Sequence, residues 1–405
     1  MQTSLFVRFF ISRFFAALGD QVLLFAVPLI IYAQTKSVAL AGLAFFIEWL
    51  PRVLSLPVAG PLSDRFGGKV VYLTADIVRA IVGFSAFYLL LNFADNTFVV
   101  LSVMMAISAF FYAQSFIAME SMVPKLVDKA DLAKAQSMLQ AIEQGTLVFG
   151  PMLGAAFIVY FDAFYLIAVA AGLFLLAFAT IATIKLPDMS NPAALKSNIF
   201  KQVKTDFIHA WGIIVARPNL VLLIVLSVSI NLIIGTAIAT AAMLSTGYFN
   251  ISSVEFGFQQ SFAGAVTLVV LIGLPFIINK VSVFTLGMLA YLVICMGAIF
   301  IGVSNEYWIY ALCYALILAS GDVFNVYIRT ERALVIPKEH LGKTIGLIVF
   351  LNQLTLPIAG IIVSTSATES GTKSLFWLLG LFTVGVIALS FKKLKSNSQM
   401  LLAQG

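Results

Sequence analysis

Residues 60–69 read Gly60-Pro61-Leu62-Ser63-Asp64-Arg65-Phe66-Gly67-Gly68-Lys69, a charged decapeptide between two long apolar runs. The flanking runs, Val38 to Leu62 and Val70 to Asn92, are each long enough to cross a hydrocarbon core of about 30 Å at about 1.5 Å per helical residue. The decapeptide therefore predicts a tight turn at a membrane face. Glycines at 60, 67 and 68 permit positive φ and close backbone approach, and Asp64, Arg65 and Lys69 supply charge for capping or bridging helix ends.

Composition extends this reading to the whole chain. Its 405 residues are 61% hydrophobic and 10% charged, against about a quarter charged in soluble globular proteins. A polytopic membrane protein follows. Cys295 and Cys313 both fall in apolar runs, so no disulfide framework is expected. His209 and His340 lie in polar connections away from either cysteine, which argues against a transition-metal site. The first apolar run is too long for a cleaved signal peptide and is kept as a spanning helix.

Twelve spans are expected, near 9–33, 38–62, 70–92, 98–121, 135–160, 164–184, 218–246, 254–278, 282–303, 307–329, 342–365 and 374–391. An even number places both termini on one side. Of the 24 Lys and Arg, twenty fall in or beside segments on that side, and only Lys36 and Lys373 lie opposite. The positive-inside rule makes the termini and the Gly60 turn cytoplasmic. The net charge of +6 is thus a topology signal, and no nucleic-acid partner is expected.

Leu186-Pro187-Asp188 and Asn191-Pro192 open the longest non-spanning segment, which splits the chain six spans plus six. The expected division is a six-helix bundle at 1–184, a linker at 185–217, a second bundle at 218–392 and a cytoplasmic tail at 393–405. Within the linker, Phe200, Val203, Phe207, Trp211 and Ile214 recur at helical spacing with Lys201 and Lys204 between them, the pattern of an amphipathic helix on a lipid surface.

Ionisable residues inside the spans cost about 2.5–3.5 kcal/mol each on insertion scales unless paired or wet. Glu48 with Arg52, and Asp76 with Arg79, sit one helical turn apart and can pair locally as structural ion pairs; the alternative for all four is a part in proton coupling or substrate binding. Glu120, a turn from Pro124 and Lys125, is expected at the interface. Asp20 and Asp322 each follow a glycine and have no basic residue within four positions, so they read as lone carboxylates; for Asp20 the alternative is a pair with Arg52 or Arg79 across helices. Glu143, beside Gln140 and Gln144, is a third candidate for proton or substrate binding. Gly150-Pro151 is expected to kink its helix, and Gly154-Ala155 to offer a small-residue packing face.

Several of these stretches resemble the major facilitator superfamily. Gly60, Leu62, Asp64, Arg65, Gly67 and Lys69 match its loop between helices 2 and 3 in register, and Gly68 stands where the family prefers a base. Gly150-Pro151-Met152-Leu153-Gly154-Ala155 is similar to the helix 5 signature of its antiporters, with Ala155 in place of the last glycine. The N-terminal third, with Gly19-Asp20, Phe25-Ala26-Val27-Pro28 and Glu48-Trp49-Leu50-Pro51-Arg52, resembles the branch holding macrolide efflux pumps and bacterial siderophore exporters. Helix 4 lacks the R-x-x-x-G pattern that other drug antiporters use.

That resemblance implies an all-α fold of two six-helix bundles in the bacterial inner membrane, acting as a monomer among lipids. It implies export of a small organic molecule by alternating access, with no cofactor and a proton gradient as energy source. Asp20 and Asp322 would then face a shared central path, and the Gly60 turn would act as a conformational latch. A ferroportin-like metal exporter is the alternative cargo class. The competing enzyme reading, an intramembrane aspartyl protease using Asp20 and Asp322, lacks the Tyr-Asp and Gly-x-Gly-Asp settings such enzymes need. Nucleotide-driven transport is disfavoured because no G-x-x-x-x-G-K-[ST] loop occurs.

Overall fold

The computed structural model describes residues 3–93, 96–126, 132–184, 199–278, 280–336, 341–366 and 368–402. The opening of the linker at 185–198 and the side chains of Asp64, Glu120, Gln140, Phe200 and the basic tail from 391 onward lie outside the described residues.

All the described regular structure is helical. Six helices make up the first half: α1 (Thr3–Thr35), α2 (Val38–Phe66), α3 (Gly68–Asn92), α4 (Thr97–Leu126), α5 (Leu132–Ile158) and α6 (Tyr165–Ala182). After α7 (Ile199–Val215) come α8 (Pro218–Met243) with a π turn at Leu244–Tyr248, α9 (Ser253–Ile278), α10 (Val283–Val303) and α11 (Tyr307–Val335). The last span is preceded by α12 (Leu341–Gln353) and α13 (Thr355–Ser364), and is formed by α14 (Glu369–Leu402). Among the described residues twelve segments are long and apolar enough to cross a membrane, α12 and α13 together making one of them.

Local chemistry sets several boundaries. Ser37 starts α2 by accepting from Leu40 N at 3.3 Å, and Ser282 starts α10 by accepting from Thr285 N at 3.1 Å. Ser252 and Glu255 cap α9 reciprocally: Ser252 N donates to Glu255 Oε2 at 2.7 Å, and Glu255 N donates to Ser252 Oγ at 3.2 Å, a capping box. The break between α12 and α13 falls four residues before Pro357, whose ring would meet the carbonyl of Gln353 in an unbroken helix. Nearby, the Asn352 carbonyl accepts from Thr355 Oγ1 at 2.6 Å and from Asn231 Nδ2 of α8 at 3.4 Å.

The expected tight turn is present within 60–69, but the decapeptide is almost entirely helical, which corrects the expected helix ends at Leu62 and Val70. Helix α2 runs on to Phe66 and α3 begins at Gly68, leaving one residue between them, Gly67, at φ 81° and ψ 136°. Nothing in Leu62-Ser63-Asp64-Arg65-Phe66 breaks a helix, so the turn waits for the first residue after it that tolerates positive φ. Gly60 lies inside α2, and a Cβ there would meet open space.

The chain divides into two compact units, residues 1–202 with 251–261, and residues 203–250 with 262–405. In the first, α1 packs on α5 and α6, α3 packs on α4 and α6, and α2 packs on α4. The start of α9 joins this unit because Gly257 lacks a side chain: a Cβ there would lie 2.2 Å from the Ala155 Cβ and 3.0 Å from the Pro151 carbonyl, while Phe256 stacks on Phe25 at 5.6 Å. An apolar core of Phe6, Phe9, Phe10, Tyr72, Met119 and Met122, among others, fills one end of this unit.

In the second unit, α8 packs on α11, α13 and α14, and α10 packs on α11 and α14. The amphipathic helix α7 is split: Ala210 and Ile214 are buried, whereas Phe207, Ile208, Trp211 and Val215 are exposed alongside Lys201 and Lys204. Phe207 makes an edge-on approach to Phe350 of α12 at 6.4 Å.

Candidate functional site: a buried charge cluster in the N-terminal unit

Helices α1, α3 and α5 each carry ionised side chains to one region inside the first unit. Asp20 of α1 accepts a hydrogen bond from Arg79 Nη2 of α3, and both side chains are buried. This corrects the reading of Asp20 as a lone carboxylate and selects its alternative. The partner is 59 positions away, outside the reach of any helix-spacing rule. Arg79 also faces Asp76 on its own helix, Nη1 to Oδ1 at 3.6 Å, with both side chains fully buried. The Phe174 ring of α6 lies under the Arg79 guanidinium at 3.8 Å, which covers one of its faces with an aromatic surface.

Arg13, counted in the sequence as a topology charge, belongs to the same cluster. Its guanidinium is buried and donates Nε to Glu143 Oε1 of α5 at 2.8 Å, with Nη2 on the same oxygen. Asp76, Tyr72 and Arg79 all lie within electrostatic reach of Arg13. The available signal was helical phase: Arg13 and Asp20 are seven positions apart, two turns along one face of α1.

Glu48 and Arg52 do not form an ion pair among the described residues, which corrects the expectation from their spacing. Arg52 instead lies between two rings, 3.8 Å from the Tyr112 centroid and 4.6 Å from Trp49. Two large flat faces next to a guanidinium compete well with a carboxylate one turn away. Glu48 is buried, with Oε1 unpartnered. Tyr112 of α4 also approaches Arg79 at 5.9 Å, so one aromatic ring links the two groups of charge.

The small residues of α5 form a docking face for α1. A Cβ at Gly150 would lie 2.4 Å from Gln21 Cβ, and one at Gly154 would lie 2.6 Å from the Phe25 ring. Pro151 sits within α5, which continues past it to Ile158. Close approach along this face sets Asp20 and Glu143 on neighbouring helices of one packed pair. Of the turn residues, Lys69 donates to the Ile184 carbonyl beyond the end of α6, and Arg65 lies over the Phe66 ring at 5.6 Å.

Asp322 lies in the second unit, on α11. It is half-buried beside Asn325, with Arg329 two turns along the helix as a nearby cation. The second unit's buried polar contacts are otherwise largely neutral: Ser229 Oγ meets Tyr291 OH at 2.8 Å, Tyr291 OH donates to the Thr383 carbonyl at 3.2 Å, and Cys295 Sγ donates to Thr383 Oγ1 at 3.1 Å. Lys373, read from sequence as a loop charge, is 5% exposed. Its ammonium donates to Asn305 Oδ1 at 2.7 Å, to Tyr248 OH at 3.1 Å and to the Ser304 carbonyl. Among the described residues no group of three or more His, Cys, Asp or Glu is placed to hold a metal ion.

The sequence and the fold are similar to those of known proteins. Over 373 residues the chain is 22% identical to macrolide efflux protein A of Streptococcus pyogenes, covering 89% of this chain and 88% of that protein. It is 28% identical to the MFS-type transporter YfiS of Bacillus subtilis over 170 residues, which span 41% of this chain and 39% of that relative's length. Among solved structures, it is similar in fold to the nucleoside transporter NupG (TM-score 0.75, 12% identity, 97% of this chain and 99% of that one). A bacterial homologue of the iron transporter ferroportin in its inward-facing state is also similar in fold (TM-score 0.70, 15% identity, 98% and 99%). Residues 9–354 match the family profile described as Major Facilitator Superfamily. With twelve spanning segments and that match over most of its length, the chain belongs to the major facilitator superfamily and is a multi-pass membrane transporter, not an enzyme.

Proposed function

We propose that this transporter exports a small organic molecule from a bacterial cytoplasm by alternating access, exchanging it for protons. The observation that carries the reading is the alignment with macrolide efflux protein A across nearly the full length of both chains. Coupling to protons draws support from the first unit, where carboxylates and guanidinium groups sit together in a buried site on three different helices. Such groups are costly in a membrane and are kept where they do work.

The cargo we propose is amphiphilic, drug-like or siderophore-like, with macrolides as the first class to test. The Arg52 guanidinium between Trp49 and Tyr112 would suit an anionic or aromatic part of such a molecule. The resting place we propose is the inner membrane, with a monomer among lipids and both termini cytoplasmic, as the excess of Lys and Arg on that side indicates. A green fluorescent protein fused to the C-terminus that stays dark would overturn this orientation.

The function is tested in everted membrane vesicles from cells expressing the chain, with radiolabelled erythromycin and a panel of amphiphilic dyes as probes. Acidifying the vesicle interior should drive uptake of at least one probe beyond vesicles lacking the protein, and a protonophore should abolish it. Uptake that ignores the gradient would overturn the antiport assignment.

A further inference from the structure

Three carboxylates and two guanidinium groups meet inside the N-terminal unit. Glu143 takes up Arg13, and Asp20 takes up Arg79. Asp76 is left over. Its side chain is fully buried, its nearest cationic nitrogen is the shared Arg79 Nη1 at 3.6 Å, and neither of its oxygens accepts a charge-assisted hydrogen bond among the described residues. The neutral hydroxyl of Ser115 on α4 is the side-chain donor that faces it.

The surroundings leave the count unchanged. Tyr72 and Arg79 share the helix of Asp76, and α1 presents Arg13 and Asp20. From α4 come Ser115 and the Tyr112 ring, from α5 Glu143 behind Arg13, and from α6 the uncharged Phe174 ring. On α2, Glu48 and Arg52 add one charge of each sign. Among the described residues, with every group ionised, the cluster holds one negative charge in excess. A buried, unsolvated excess charge is strongly disfavoured, and the cluster becomes neutral by taking up one proton. Asp20 and Glu143 already accept charge-assisted hydrogen bonds, from Arg79 and Arg13 respectively. Asp76 has no guanidinium of its own and faces only the neutral Ser115 hydroxyl.

We infer that Asp76 is the proton-carrying residue of this cluster, with the Asp20–Arg79 and Glu143–Arg13 pairs positioning it. The proton adds from water to one carboxylate oxygen of Asp76, giving a neutral acid that can donate to the Ser115 hydroxyl. Its departure returns the excess charge and pulls Arg79 away from Asp20 towards Asp76. Arg79 is thereby shared between α1 and α3, and the proton on Asp76 decides which helix holds it. This deepens the antiport reading and rests on it only for the use made of the proton.

The test is infrared difference spectroscopy of the purified full chain in lipid vesicles, titrated with pH. The wild type should show a protonated-carboxyl stretch that disappears as pH rises. In Asp76→Asn this component should be missing, and in Asp76→Glu it should return at a shifted frequency. Asp20→Glu should leave the frequency where it is. Arg13→Gln should recruit a second protonated carboxyl, because it deepens the excess. A titrating signal identical in wild type and Asp76→Asn, or unmoved in the folded Asp76→Glu variant, would overturn the inference. If the signal behaves as described but probe uptake ignores the gradient, the proton site stands and the antiport reading falls. Gradient-driven uptake that is unchanged in Asp76→Asn sinks only the assignment of Asp76.

Discussion

Arg79 of α3 holds Asp20 of α1 in a buried guanidinium–carboxylate bond and keeps Asp76, one turn away on its own helix, within 3.6 Å. One cation thus ties two helices of the N-terminal unit together and serves two acids. Removing one member of a buried pair leaves an uncompensated charge and costs about 3–5 kcal/mol, whereas replacing both members is close to neutral.

Arg79→Gln should accordingly lower the thermal stability of the purified protein sharply, and Asp20→Asn should do so less. The double variant should be more stable than Arg79→Gln alone, a coupling read from a double-mutant cycle of melting temperatures. Asp20→Asn should also reduce gradient-driven export by about tenfold or more. Additive losses in the cycle would show that the two side chains do not interact.

The α5 face predicts a size limit. Gly154→Leu and Gly257→Leu must push against Phe25 and Ala155 respectively, where even a Cβ lies within 2.6 Å and 2.2 Å. Overpacking of this kind costs about 1–3 kcal/mol. Gly145→Ala and Gly172→Ala, helical positions where a Cβ meets nothing within 4 Å, are the controls and should not lower the melting temperature.

Lys373 predicts a local effect in the second unit. Its ammonium closes the π turn onto α14 through Tyr248 and onto the α10–α11 connection through Ser304 and Asn305. Lys373→Met removes charge-assisted hydrogen bonds, each with a net contribution of about 1.5–3 kcal/mol. Faster backbone hydrogen exchange should appear at residues 244–250 and 304–306, with the α10 core unaffected.

The turn after α2 separates strain from motion. Gly67 sits at φ 81°, so Gly67→Ala should destabilise by about 1–3 kcal/mol. Gly60 is helical with open space at its Cβ, and Gly60→Ala should stabilise by up to about 1 kcal/mol. A fall in export for Gly60→Ala, without a fall in melting temperature, would assign that position to conformational change.

Long apolar runs and the positions of prolines made the spans legible in the sequence, because both act through local backbone and solvent physics. Pairing of charges was legible only where partners share a helix. Asp76 and Arg79 could be matched by spacing, but the spacing of Glu48 and Arg52 misled, since Tyr112, far along the chain, supplies the face that Arg52 prefers. Asp20 looked solitary for the same reason. Arg13 and Lys373 were assigned to the membrane surface by proximity to span ends; their burial depends on acceptors from other helices, Glu143 for one and Asn305 and Tyr248 for the other. The decapeptide gave the turn but not its length: its charges suggested that the helices stop at Leu62 and Val70, but its backbone has no reason to leave the helix before Gly67.

The most direct measurement compares the small molecules released into the medium by cells expressing the wild type, Asp76→Asn or no transporter, by untargeted mass spectrometry with and without a protonophore. Proton-driven export predicts at least one organic compound enriched outside wild-type cells, with the enrichment lost in Asp76→Asn and after the gradient is collapsed. Enrichment that survives both the substitution and the protonophore would contradict the account.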